Sequence, residues 1–111
     1  MSLEVKNWLY DILISIQSIY DFIGEVRLYE SYESDKKTRR SVEREITIIG
    51  EAVNRIKNAD ETIRIASAQQ IIATRNRVAH AYDAVDNAMI WNIVINHLPN
   101  LKLEVEKLLQ I

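Results

Sequence analysis

Apolar side chains recur at three- and four-residue steps along most of the chain, which is the spacing of one face of an α-helix. The first such stretch runs from residue 3 to about residue 28 and predicts an amphipathic helix of several turns. The polar segment 30–35 follows it and predicts a connection, in which Ser34 or Asp35 can cap the next helix.

A second helix is predicted to begin near Lys36 and to end at the polar break around Asp60. Its apolar stripe has steps of four, three, four and three, the spacing that packs well in antiparallel bundles, and consists of Val42, Ile46, Ile49, Val53 and Ile56. Gly50 lies inside this helix, where glycine costs about 1 kcal/mol relative to alanine. A close helix crossing at Gly50 would explain it.

Two further helices are predicted in the second half of the chain. The third runs from residue 68 to about Tyr82, with Ser67 as its cap, and the fourth starts after Asp86 and extends almost to the end of the chain. Pro99 interrupts the fourth helix and is expected to kink or split it. Residues 88–95 are apolar on most sides, so we expect either a second subunit or a surrounding core to bury them.

Composition agrees with this pattern. A chain of 111 residues with only two glycines, one proline and 48% hydrophobic residues predicts one all-α domain over residues 1–111, an antiparallel up-down four-helix bundle. It has no cysteine, which excludes a disulfide framework, a zinc–thiolate site and a thiol nucleophile. The two histidines lack metal-ligand spacing, so we expect neither metal nor cofactor. No apolar run approaches the length of a membrane span, and we expect a soluble, cytoplasmic protein.

The charges are distributed unevenly along the chain. The formal net charge is −2, but residues 36–80 hold ten Lys or Arg against five Asp or Glu, whereas the rest holds four against eleven. A basic middle within an acidic chain is expected of a protein with one site for an anionic partner. The alternative is a solvated helix face with ordinary salt bridges.

An arginine occupies a core-like position in the third helix. The stripe defined by Ile71 and Val78 includes Arg75, while Asn76 and His80 form a neighbouring row four residues apart. Burying an unpaired guanidinium is costly, so this position should border a cleft or interface that supplies an anion or a carboxylate.

A purely structural role is the competing interpretation of these residues. In that case Arg75 pairs with Glu51 or another acid of the bundle, His80 is a hydrogen-bonded boundary histidine, and Tyr82 packs near the helix end.

Residues 75–82 read Arg-Asn-Arg-Val-Ala-His-Ala-Tyr, an R-x4-H-x-Y arrangement with asparagine directly after the arginine. This segment resembles the signature of the HEPN superfamily, and more narrowly that of the HepT-like ribonuclease toxins found beside minimal nucleotidyltransferases. The resemblance includes the Ile-Ile-Gly-Glu-Ala string at 48–52, the aromatic Trp91, and the Leu-Pro-x-Leu pattern at 98–101, in the same order.

The resemblance implies a metal-independent endoribonuclease whose catalytic residues are Arg75 and His80, supported by Asn76. A histidine can exchange a proton near neutral pH, and an arginine stays charged and can bind a phosphate in bidentate fashion. One histidine cannot easily be both base and acid, and the resemblance implies a homodimer that brings two motifs to one shared cleft. Basic residues that could bind or steer RNA toward it are Lys36, Lys37, Arg39, Arg40, Arg44 and Arg77.

The resemblance also implies a regulatory partner. In such pairs, which form a type VII-like toxin–antitoxin system, the nucleotidyltransferase antitoxin adenylylates the motif tyrosine, which is Tyr82 here. The alternative function is a non-catalytic companion that binds a nucleotide or substrate for the transferase. A third possible function is that of a helical dimerisation module without a ligand.

Overall fold

The computed structural model describes residues 1–80 and 85–111, and within those ranges it is helical with no strand. The all-α prediction is therefore confirmed. The helices are α1 (Leu3–Ile23), α2 (Tyr29–Ser34), α3 (Lys36–Ala59), α4 (Ala68–His80), α5 (Asn87–Asn92) and α6 (Leu98–Leu109), and a π-helical turn, Ile93–His97, joins α5 to α6. In the described part of the chain, no helix combines the length and apolar character that crossing a membrane requires.

Helix α1 is shorter than the apolar pattern predicts. It starts at a Ser2 cap, whose side chain accepts the Val5 N–H, and it ends at Ile23 rather than near residue 28. The reason is Gly24, which adopts a φ of 67°, a conformation that glycine reaches without steric cost. The Gly24 N–H donates to the Tyr20 carbonyl oxygen at 3.0 Å and closes the last turn of the helix.

The predicted connection at 30–35 is wrong, because most of this segment forms the short helix α2. Tyr32 is buried and stacks on Trp91 of α5, with ring centroids 5.1 Å apart. This tertiary contact stabilises a turn of helix in a sequence that locally favours a loop. The predicted cap is confirmed for Asp35, whose Oδ1 accepts the Thr38 N–H at 3.1 Å. Hydrogen bonds from Thr38 hold the pKa of Asp35 below its usual value.

Helix α3 contacts both α1 and α4, and α1 also packs on α6. The whole apolar stripe that the sequence assigns to α3 is inaccessible to solvent: Val42, Ile46, Ile49, Val53 and Ile56. Helix α2 packs against α3 and α5. Helix α3 therefore packs against α1, α2 and α4. The up-down four-helix arrangement stays a prediction.

The apolar run at 88–95 is buried mainly by the chain's own core. Ile90, Ile93 and Val94 are each at most 2% exposed. These three positions have the i, i+3, i+4 spacing of one helix face, and the backbone adopts π-helical hydrogen bonding over Ile93–His97. Pro99 lies in the first turn of α6, where the N–H that proline lacks is not needed. A kink at Pro99 itself stays a prediction.

Candidate active site

The site begins with the closest approach of α3 to α4, at Gly50. A Cβ atom added to Gly50 would overlap the Cβ of Arg75 and would lie 2.6 Å from its Cγ. No larger residue fits there unless the two helices move apart, because the obstructing atoms belong to the base of the arginine side chain. The close crossing that Gly50 suggests in the sequence is therefore present, and it holds the stem of Arg75 against the α3 backbone.

The guanidinium group of Arg75 is held by two acceptors. Its Nη2 donates to Glu51 Oε1 at 3.3 Å and its Nη1 donates to Asn76 Oδ1 at 3.0 Å. Its Nε is buried without a hydrogen-bond partner among the described residues. The pairing with Glu51 is the one that the structural interpretation expects. The carboxylate side of that pair is 46% exposed, so water screens the attraction and an incoming anion can compete for the guanidinium.

A cavity of about 110 Å³ opens beside this pair, between α3 and α4. Its lining combines charged, amide and apolar groups: Gly50, Glu51, Asn54, Arg55, Ile72, Arg75 and Asn76. Asn54 and Arg55 are functional candidates that the sequence analysis missed. Their spacing in the sequence could have identified them. Asn54 lies four residues after Gly50 and Arg55 four after Glu51, so both lie on the same side of α3 as Gly50 and Glu51.

His80 is exposed at the end of α4, in the same row as Asn76. At ~100° per residue, five residues separate Arg75 and His80 by ~140° around the helix. Arg75 thus packs toward α3 while His80 is directed away from it. Within residues 1–80 and 85–111 no hydrogen bond joins the two, and Asn76 is the residue between them that contacts Arg75.

The predicted RNA-binding residues are mostly exposed. Lys36, Lys37, Arg44 and Arg77 are open to solvent, whereas Arg40 also contacts both carboxylate oxygens of Glu43, at 3.0 and 3.1 Å.

Arg39 is the half-buried member of this set, and its Nε lacks a partner among the described residues. Arg39 also lies near the buried Tyr32. Burial and the Glu43 carboxylate raise the pKa of Tyr32 above its ordinary value, and Arg39 offsets part of this rise. Tyr82, the predicted modification site, lies outside the described residues.

The second histidine, His97, has a structural contact. Its Nδ1 lies 2.7 Å from the Oγ of Ser67, in the residue that precedes α4. The Ser67 carbonyl oxygen accepts the Ile71 N–H at 3.0 Å, so Ser67 directly precedes the first turn of α4, while its hydroxyl contacts the π-helical turn. A side-chain cap by Ser67 stays a prediction. His97 therefore offers an internal comparison for His80.

Comparison with known proteins gives the same family as the motif. A family model described as "Ribonuclease HepT-like" matches residues 12–108. The protein named "Putative RNase MJ0127" from Methanocaldococcus jannaschii is 34% identical over 96% of this chain and 88% of its own length. The protein named "Probable ribonuclease HepT" from Thermococcus cleftensis is 35% identical over 93% of this chain and 94% of its own length. No solved structure matches at a significant level. The matched range includes the Gly50 crossing and the residues from Arg75 to His80, and the chain belongs to the HepT-like ribonuclease family.

Proposed function

We propose that this protein is a metal-independent endoribonuclease and the toxin of a toxin–antitoxin pair, with Arg75 and His80 as its catalytic residues. The observation that supports this best is the environment of Arg75. A glycine is required for its placement, and its guanidinium borders a cavity instead of being enclosed in the core. Relatives named as RNases align over nearly the whole chain.

The proposed reaction is a transesterification within the RNA strand. A base removes the proton of a ribose 2′-OH, the 2′ oxygen attacks the adjacent phosphorus, and the bond from phosphorus to the 5′ oxygen breaks. An acid then protonates the leaving 5′ oxygen, which leaves a 2′,3′-cyclic phosphate and a 5′-hydroxyl. Histidine suits the proton transfers. Arg75 stays charged and stabilises the negative charge that builds up on the phosphate oxygens.

The directions of Arg75 and His80 support a shared site in a homodimer. With ~140° between them on one helix, a single copy of α4 does not aim both groups at one phosphate. Two copies that meet along the exposed Asn76–His80 row would place two imidazoles in one cleft, with the two cavities on either side. One imidazole can then act as base and the other as acid. The exposed basic residues of α3 and Arg77 would attract RNA to that cleft.

Tyr82 is the proposed site of control. A partner nucleotidyltransferase would transfer AMP from ATP to the phenol oxygen of Tyr82 and release pyrophosphate. The new phosphodiester adds negative charge two residues from His80, where the RNA phosphate is expected, and so repels the substrate.

Growth of cells that express the chain tests this function. Without the partner we expect arrest by the wild type and by the control His97→Ala, and normal growth with His80→Ala or Arg75→Ala at equal soluble amounts. Co-expression of the nucleotidyltransferase should restore growth to the wild type but not to Tyr82→Phe, whose side chain lacks the acceptor oxygen. Equal growth of all folded variants without the partner would reject the toxin and favour the non-catalytic companion.

A further inference from the structure

We propose that Arg55 is a second phosphate-binding residue of the site and that, with Arg75, it holds one backbone phosphate of the RNA in the cavity between α3 and α4. This inference rests on the proposed ribonuclease function. Arg55 lies outside the R-x4-H-x-Y segment, on a different helix, and it lines the same cavity as Arg75.

The charged residues that line the cavity do not cancel one another. Arg75 is paired with Glu51 at 3.3 Å, so these two residues together contribute no net charge. Arg55 is the additional cation of the lining, which brings the cavity to a net charge of one positive unit. A phosphodiester carries one negative charge. Glu51 already balances the charge of Arg75, so Arg55 supplies the positive charge that balances the phosphodiester.

The lining of the cavity also offers hydrogen-bond donors of the kind that bind phosphate. Asn76 uses its Oδ1 to accept from Arg75, and among residues 1–80 and 85–111 nothing accepts from its amide N–H groups, which can donate to an oxyanion. Asn54 lines the cavity beside Arg55 and adds a second carboxamide. Two arginines and two asparagines line this small cavity, and their guanidinium and amide donors suit phosphate oxygens, because guanidinium donors bind phosphate in a planar, bidentate geometry.

Arg55 is also placed near Glu51 along α3. The two residues are four apart on α3, with the acid nearer the N-terminus, an order that favours their attraction. When a phosphate takes the place of Glu51 on Arg75, the spacing keeps the displaced carboxylate near Arg55, whose guanidinium has enough N–H donors for both the carboxylate and the phosphate. Binding then exchanges partners within one cluster and leaves no carboxylate isolated.

The dependence of RNA binding on salt separates this role from a structural one. A fluorescent oligouridylate with 2′-O-methyl groups, which cannot be cut by attack of a 2′-OH, is titrated with the full chain at several KCl concentrations. Each phosphate contact on a single strand contributes about 0.7 to the slope of log affinity against log salt. We expect Arg55→Gln to reduce the slope by about this amount and to weaken binding several-fold at low salt. Arg55→Lys should keep the slope.

Arg64→Gln is the matched control. Arg64 is an exposed arginine that lines a separate cavity of about 470 Å³, near the start of α4. The substitution Arg64→Gln should leave the slope of log affinity against log salt unchanged. If the wild type cuts unmodified RNA but Arg55→Gln keeps the wild-type slope, the inference is wrong and the proposed function stands. If the wild type neither cuts nor binds RNA, the proposed function is wrong and the inference is rejected with it.

Discussion

Replacing His80 with alanine is expected to slow RNA cleavage by about 10²- to 10⁴-fold, the usual contribution of a group that transfers a proton in the transition state. His80 is exposed at the end of α4, so its loss leaves the core intact. The affinity for uncut RNA should change little, because the proposed RNA-binding residues are arginines and lysines. Single-turnover cleavage by the purified protein measures the rate, and the oligouridylate titration measures the affinity.

His97→Ala is the control for this prediction, since the chain has two histidines and only one is in the motif. The variant loses the contact with Ser67 and is expected to be slightly less stable. Its cleavage rate per folded molecule should equal that of the wild type. A similar loss per folded molecule in both variants would mean that the effect of His80→Ala is not specific to the motif histidine. A wild-type rate in His80→Ala would exclude a catalytic role for this residue.

Gly50→Ala is expected to separate α3 from α4 and to displace Arg75. Alanine gains about 1 kcal/mol of helix propensity over glycine, but the overlap with Arg75 costs about 1–3 kcal/mol. The free energy of unfolding should therefore fall or stay level instead of rising. Cleavage should fall by about 10²-fold, because a displacement of an ångström in a catalytic group has that effect. Urea unfolding and single-turnover kinetics measure the two quantities.

A double variant shows whether Arg75 causes the overlap. In an Arg75→Gly background the Cβ and Cγ atoms are absent, so adding Gly50→Ala should raise the free energy of unfolding by about 1 kcal/mol, as helix propensity alone predicts. If Gly50→Ala stabilises the wild-type chain by the same amount, the two helices are not in close contact at Gly50.

The sequence predicts the features that depend on local spacing. The buried stripe of α3, its Asp35 cap and the significance of Gly50 follow from helical periodicity and residue type. Helix α2 could not be predicted in this way, because it depends on Tyr32 stacking on Trp91, far along the chain. The π-helical turn could not be predicted either, because Ile90, Ile93 and Val94 have the spacing of an ordinary helix face.

The candidate site shows the same division. Arg75, Asn76 and His80 belong to one helix, so their spacing alone relates them to one another and to a family motif. Asn54 and Arg55 join them only through the register in which α3 crosses α4. Gly50 indicates in the sequence that a close crossing is possible. Only the packed structure shows which residues of α3 lie beside Arg75 at that crossing.

Cleavage of matched RNA oligonucleotides tests the central claim most directly. One is all ribose, and the other carries a single 2′-deoxy substitution at the nucleotide where the first is cut. Both are incubated with the purified chain in excess EDTA, and the products are identified by mass. We predict that the ribose strand gives a 2′,3′-cyclic phosphate and a 5′-hydroxyl, and that the substituted strand stays intact at that position. Equal cleavage of both strands there, or products with 5′-phosphate ends, would contradict a transesterification by His80 and Arg75.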